Sequence, residues 1–249
     1  MKINQILLSI SLFIPFSSIQ SLSFHYLLIP TVESQRMCYL LATMKQGHHP
    51  SLITGEAGTS KTTTTMMFSE SFDPSLYYLK HIHFSSITTP YYVQKTLETE
   101  LEKRGGKSFG PSNGRKMMFF LDDVSLPQKN EWGDKPTLEL CRQLIETKTL
   151  CFLEKDRRGD FKHIEDVLYI AAMSHPKGTD DSIPTRLLRH FFILNLETPS
   201  DGTIQGIFGS ILHKKFIEGQ TISKPLIQLL GKLPIVTAKL WHWMREHML

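Results

Sequence analysis

Apolar positions recur along this chain with two periods, and the places where one gives way to the other outline its elements. From Val32 to Gln46, Met37, Leu40, Leu41 and Met44 fall at i, i+3, i+4 and i+7, the spacing of one helix face, with Thr31 placed to cap the start. Gly47 closes that helix. The short run Ser51 to Thr54 predicts a strand that enters a glycine-containing turn, and Lys61 to Phe72 follows as a helix. Thr62 to Thr65, four β-branched residues in a row, oppose that helix by about half a kcal/mol each relative to alanine, so tertiary contacts must supply what propensity does not.

Tyr78 to Phe84 predicts a second strand, after which Thr89 and Pro90 provide an N-cap and a first helical residue. Val93, Leu97 and Leu101 repeat at i+4 ahead of Gly105, so the helix is expected to run to that glycine and Gly105 to Gly114 to form a loop. Met117–Leu121 is an unbroken apolar run, the pattern of a strand covered on both faces, and it ends in Asp122 and Asp123. Thr137 to Thr147 places Leu138, Cys141, Leu144 and Ile145 on one helix face, and the extended runs flanking DRRGD predict a hairpin. Val167 to Met173 is a further buried strand, Pro184 to His190 a short helix and Phe191 to Leu196 another strand. Ser200 then caps a helix striped by Ile204, Ile207, Phe208, Ile211 and Leu212. Strands alternating with helices predict an α/β fold with a central parallel sheet, whose ligands bind beyond the carboxyl ends of the strands.

Composition narrows the function classes. A chain of 249 residues with 41% hydrophobic content can close a core. The 28 basic and 24 acidic residues leave a net charge of only +4 without a dense cationic block, which argues against a nucleic-acid surface. Cys38, Cys141 and Cys151 match neither a disulfide framework nor zinc-ligand spacing, and they suit a reducing compartment. Residues 1–23 point the other way: Lys2, an apolar run from Ile6 to Phe16 and small polar residues follow the layout of a secretory signal, or else a start region outside the folded domain. Pro15 and the shortness of that run argue against a membrane span, which needs about 20 apolar residues, and no membrane partner is expected.

The chemistry is expected at the strand ends. Gly55, Glu56, Ala57, Gly58, Thr59, Ser60, Lys61 and Thr62 approximate the phosphate-binding pattern G-x-x-x-x-G-K-[ST], with Ser60 where the second glycine belongs. In such a loop the backbone N–H groups and the helix N-terminus face the phosphates, the lysine reaches the β- and γ-phosphates, and the threonine hydroxyl ligates Mg²⁺. Ser60 adds a Cβ where the backbone passes close to phosphate, at a cost of about 1–2 kcal/mol if the residue needs positive φ. Asp122 is placed to hold Mg²⁺ opposite the loop, and Asp123 to orient the attacking water. Asp123 is one methylene shorter than the glutamate that would serve best, and a misplacement of about 1 Å can cost a hundredfold in rate.

Several segments together resemble the third AAA+ module of dynein heavy chains, the axonemal type in particular. These are LLIPTVESQR, GEAGTSKT, SSITTPYYVQKTLETELEKR, MMFFLDDVSLP, PTLELCRQLIE, AAMSHPKGTDDSIPTRLLRHF and IFGSIL, over about residues 27–217, with a fainter return in LPIVTAKLWHWMRE. The resemblance implies a P-loop NTPase fold of AAA+ type, with a large α/β subdomain over residues 24–199 and the start of a truncated helical lid over 200–249. It implies that Gly55 to Thr62 is the Walker A loop and Asp122–Asp123 the Walker B pair, binding ATP or ADP with Mg²⁺. It also puts the polar nucleotide sensor on Ser174, where related modules can carry asparagine, the arginine aimed at a neighbour's nucleotide on Arg186 or Arg189, and the lid arginine on Arg245. The implied partners are neighbouring AAA+ modules of a ring, with microtubules reached only indirectly, and the implied location is the cytoplasm and the axoneme of a cilium or flagellum. In that setting residues 1–23 are most simply a mistaken start.

Three readings stand side by side. The first is a dynein module that binds nucleotide with weak or absent hydrolysis, because Ser60, Asp123 and Ser174 all depart from the optimal residues. The second is a stand-alone AAA+ ATPase or chaperone-like ring protein. The third is a packing module whose site stays empty.

Overall fold

The computed structural model describes residues 28–153, 155–157, 159–176, 182–217 and 223–248. Residues 1–23 and the side chain of Arg245 lie outside what is described. The chain divides into two compact units, one comprising Glu33–Glu197 and the other Ile29–Val32 with Thr198–Leu249.

The first unit is built on five parallel strands. In chain order they are β1 (Ser51–Gly55), β2 (Tyr77–His83), β5 (Lys116–Asp122), β8 (Val167–Met173) and β9 (Phe192–Leu196), arranged β2-β5-β8-β1-β9 across the sheet. All four pairings are parallel, so every connection must cross over, and helices do most of the crossing. These are α1 (Val32–Gln46), which leads into β1, then α2 (Lys61–Glu70), α3 (Pro90–Glu98), α4 (Pro136–Thr147) and the single turn α5 (Thr185–Leu188).

Strand pleating explains how one run of residues serves two cores. Met117, Phe119 and Leu121 point into a cluster with Leu52, Val93, Leu97, Leu138, Cys141 and Leu144, so the stripes expected on α3 and α4 meet that face. Met118 and Phe120 point the other way, into a cluster with Ile53, Ile170, Met67, Phe68 and the α1 residues Met37, Cys38 and Leu41. The helix α2 that the four threonines disfavour is held there by Met67 and Phe68, and Thr64 and Thr65 are themselves buried. On α1 the buried face is Ser34, Met37, Cys38 and Leu41, rotated from the expected stripe, and Leu40 is exposed.

One stretch differs from its sequence reading. The helix capped by Thr89, whose Oγ1 accepts from the Tyr92 N–H, ends at Glu98 rather than at Gly105. Residues Leu101–Gly105 (β3) and Ser108–Pro111 (β4) form an antiparallel hairpin where a loop was expected. Leu101 still packs against the core, but from a strand. The i+4 spacing of three leucine and valine positions was therefore met by two element types, because a strand partner for β4 arrives from far along the chain. That partner is β7 (Phe161–Ile164), which pairs parallel with β4 and antiparallel with β6 (Thr149–Cys151). The expected hairpin around DRRGD thus becomes half of a second, four-stranded sheet in the order β3-β4-β7-β6.

The second unit is helical. Ser200 caps α6 (Asp201–Leu212) by accepting from the Thr203 N–H, and α6 continues through a wider turn at His213–Ile217. A 25-residue helix, α7 (Lys224–Met248), carries Pro234 in its interior. Within this unit the two helices are tied by His242 Nε2 at 2.8 Å from Asp201 Oδ1. No helix among the described residues is long and apolar enough to cross a membrane.

Candidate functional site

The carboxyl ends of β1, β5 and β8 bring the chemistry-bearing residues to one edge of the parallel sheet. Strand β1 delivers Gly55, where a Cβ would sit only 2.6 Å from the Leu196 carbonyl oxygen, so the residue must be glycine for β9 to pass. The loop turns through Glu56, Ala57 and Gly58, all exposed, with Gly58 at φ +82°. Thr59 is buried and folds its hydroxyl onto the Glu56 carbonyl at 2.9 Å. Ser60 then takes φ 63° and ψ 26°, the left-handed conformation that the second glycine of the pattern would adopt without strain. Its carbonyl accepts the first helical hydrogen bond of α2, from Thr64 N–H at 2.8 Å.

Lys61 opens α2 and is buried, with Nζ donating to the carbonyls of Gly55 at 3.0 Å and Glu56 at 2.8 Å. The lysine therefore closes the loop on itself. Burial lowers its pKa, and the charges of Asp123 and Asp122 work against that shift. Thr62, the next residue, donates its hydroxyl to Asp122 Oδ2 at 2.8 Å across 60 positions of sequence. The two expected magnesium ligands are thus in direct contact.

Asp122 and Asp123 share a strand end but not an environment. Asp122 is buried; its burial opposes ionisation, yet hydrogen bonds from His81 and Thr62 and the nearby charges of His81 and His83 outweigh it and hold the carboxyl below its ordinary range. Asp123 is half-buried at φ 56°, and burial followed by repulsion from Asp122 raises its pKa despite Lys61 and His83. A left-handed backbone at Asp123 turns its side chain off the strand's alternation, into a position only the fold could specify.

The other expected site residues are more dispersed. Ser174 follows β8 directly, half-buried at the same edge. Arg186 places Nε 2.7 Å from Glu139 Oε1, a charge contact without hydrogen-bond alignment, and Nη2 3.4 Å from Asp134. Arg189 donates from Nη2 to Glu146 at 2.8 Å. Both arginines are exposed and engaged with α4 or the turn before it. Arg245 lies on α7.

Sequence reasoning passed over His81 and His83. Both approach Asp122 Oδ2, at 3.2 Å and 3.5 Å. The available signal was an H-x-H pair at the end of the strand before a Ser-rich turn, which alternation places on one face.

A strand, a lysine-closed loop, a helix and an acidic strand end across a parallel sheet define a P-loop NTPase of AAA+ type. Residues 16–199 match the family described as the P-loop containing dynein motor region. The chain is 39% identical over 237 residues to dynein axonemal heavy chain 8 of Mus musculus, covering 95% of this chain and 5% of that protein. It is 39% identical over 223 residues to dynein axonemal heavy chain 5 of Rattus norvegicus, covering 90% of this chain and 6% of the relative. It is 40% identical over 223 residues to the dynein gamma chain, flagellar outer arm, of Chlamydomonas reinhardtii, covering 90% and 5%. The chain belongs to the dynein motor-region family, and it spans only about 5% of the length of the first of these relatives.

Proposed function

We propose that this chain is a nucleotide-binding AAA+ module of an axonemal dynein heavy chain, holding ATP or ADP with Mg²⁺ and hydrolysing it weakly or not at all. The observation that carries the reading is the 2.8 Å contact between the Thr62 hydroxyl and Asp122 Oδ2, which brings two oxygen donors suited to magnesium together at the carboxyl edge of the sheet. To engage phosphate, Lys61 exchanges the carbonyls of Gly55 and Glu56 for phosphate oxygens, and the loop N–H groups and the start of α2 complete the cradle. Thr62 and Asp122 would hold a magnesium ion, which would supply neutralisation of phosphate charge. Ser174 faces the same edge as the sensor of that phosphate.

Weak turnover follows from two features of this chain. Ser60 holds a strained left-handed backbone where the loop meets phosphate, and Asp123, the water-orienting candidate, is short and has a raised pKa. Arg186 or Arg189, both exposed, serves a neighbouring module's nucleotide after release from its ion pair with Glu139 or Glu146. Residues 200–249 begin the helical lid, and Arg245 is its sensor-arginine candidate. In this reading the neighbouring modules of the ring are the direct partners, the microtubule is reached through other parts of the motor, and the site of action is the axoneme. The family match favours this reading over a stand-alone ring ATPase.

Binding of a fluorescent ATP analogue to the full chain, with and without Lys61→Ala, tests the proposal. A saturable signal that falls at least tenfold in the variant is expected, and equal signals overturn it.

A further inference from the structure

The end of β2 carries chemistry that a magnesium site does not require. His81 and His83 stand at i and i+2, so strand geometry sets both imidazoles on one face. Their parallel partners on β5 are Phe120 and Asp122. The His81 ring stacks on buried Phe120 with centroids 4.7 Å apart, which fixes its orientation, and the two histidine rings lie 3.9 Å apart. Asp122 Oδ2 is 3.2 Å from His81 Nε2 and 3.5 Å from His83 Nδ1, and the three ligand atoms all lie within 4.8 Å of one another.

Those separations match a coordination polyhedron. Imidazole nitrogens and carboxylate oxygens bind zinc-class ions at about 2.0–2.2 Å, which sets the edges of a tetrahedron at roughly 3.3–3.6 Å. The two edges that meet at Asp122 already fall close to that range. The third edge closes through His83, whose side chain is 70% exposed and so has room to move. Two imidazoles and one carboxylate are also the wrong set for magnesium, which prefers oxygen ligands in octahedral array, and the right set for Zn²⁺ or Co²⁺.

We propose that His81, His83 and Asp122 form a binding site for a divalent transition-metal ion, with its remaining coordination positions open to water or phosphate oxygen. The site goes beyond the nucleotide reading and does not depend on it, since its ligands come from β2 and β5 and need no phosphate. It shares Asp122 with the magnesium position, so a transition-metal ion held by the imidazoles competes with Thr62 and magnesium for that carboxylate.

Co²⁺ titrated alone into the full chain, after treatment with a chelator, tests the site by its visible ligand-field absorption. The expected result is an equimolar, saturable band that Zn²⁺ abolishes and that Mg²⁺ weakens only at far higher concentration, since magnesium competes for Asp122 alone and not for the imidazoles. His83→Asn, at an exposed position that leaves the core untouched, should weaken Co²⁺ binding by more than the about 100-fold that loss of a supporting outer partner can cost. His81→Asn should do the same, with circular dichroism verifying the fold of both variants. Absence of a saturable band, or a band unchanged in a folded His83→Asn, overturns the proposal and leaves the histidines as hydrogen-bond partners of Asp122. The ATP analogue, measured on the same wild-type preparation, reports the nucleotide reading separately, so the failure of either one is identified.

Discussion

Strand β5 and helix α7 are both rich in apolar residues and use them in opposite ways. Every residue of Met117–Leu121 is buried, with alternate side chains feeding two different core clusters. Along α7, by contrast, Leu229, Leu240, Trp241 and Trp243 are all at least half exposed, and Pro234 and Ala238 are the buried apolar side chains among those described. A strand at the centre of a parallel sheet acquires neighbours on both faces from the fold itself. A long helix acquires them only where another element lies against it, and α6, which has no buried residue of its own, supplies little cover. Side-chain identity is therefore tightly constrained in the first unit and weakly constrained in the second.

Substitutions can break that contrast or sharpen it. The largest effect is expected from Phe119→Ala, which empties a fully buried position between Val93, Leu138 and Tyr169 and should destabilise the α/β unit by about 3–5 kcal/mol in urea unfolding. Trp243→Ala removes as large a ring from α7 and should cost about 0.5 kcal/mol or less. Comparable losses for the two would mean that α7 is covered as well as β5 is.

A smaller effect is expected within the site. Asp122→Ala removes a buried carboxylate that accepts from Thr62 and His81, so a loss of about 1.5–3 kcal/mol should appear at neutral pH. The sign of the pH dependence separates the two aspartates. Asp122 has a lowered folded pKa, so its stabilisation is present above its unfolded pKa and fades as pH falls through the folded value. Asp123 has a raised one, so its contribution is most favourable in acid and is lost as pH rises through the folded value. Asp123→Asn should thus raise the melting temperature at pH 7 while Asp122→Asn lowers it, and the same sign for both would contradict the environments described here.

Ser60→Gly probes a site that no core supports. Relief of the left-handed backbone should stabilise the chain by about 1 kcal/mol and strengthen binding of the ATP analogue. A weaker variant would show that the Ser60 side chain contributes more than its backbone costs. The smallest change is expected from Arg189→Ala, since its exposed pair with Glu146 is of the kind worth about 0–1 kcal/mol. Thermal unfolding should barely register it.

Legibility in the sequence followed the range of the interactions concerned. The start of α3 was readable because Thr89 and Pro90 act within one turn, and the buried face of α4 because Leu138, Cys141, Leu144 and Ile145 repeat at helical spacing. The chain's own loop could be placed because Gly55, Gly58 and Lys61 lie within seven residues. Failure came where distant partners intervened. Leu101 continued the α3 stripe, yet the arrival of β7 beside β4 made a hairpin strand the better use of that leucine. Leu40 fitted the α1 stripe by spacing, but contact with Met67 and Ile53 rotated the buried face onto Cys38.

Sequence by itself determined the alternation of strands and helices, the doubly buried β5, the phosphate-loop pattern and the acidic strand end, because each is written in caps, periods and spacings that act locally. Only the tertiary structure decided that Ser60 takes a left-handed backbone, that Thr62 meets Asp122, and that His81 and His83 stand beside the same carboxylate. Those outcomes rest on the parallel register between β2 and β5 and on the way α2 packs beside them. Register between strands some forty residues apart is chosen by the burial of both faces at once, and no short window of sequence contains that choice.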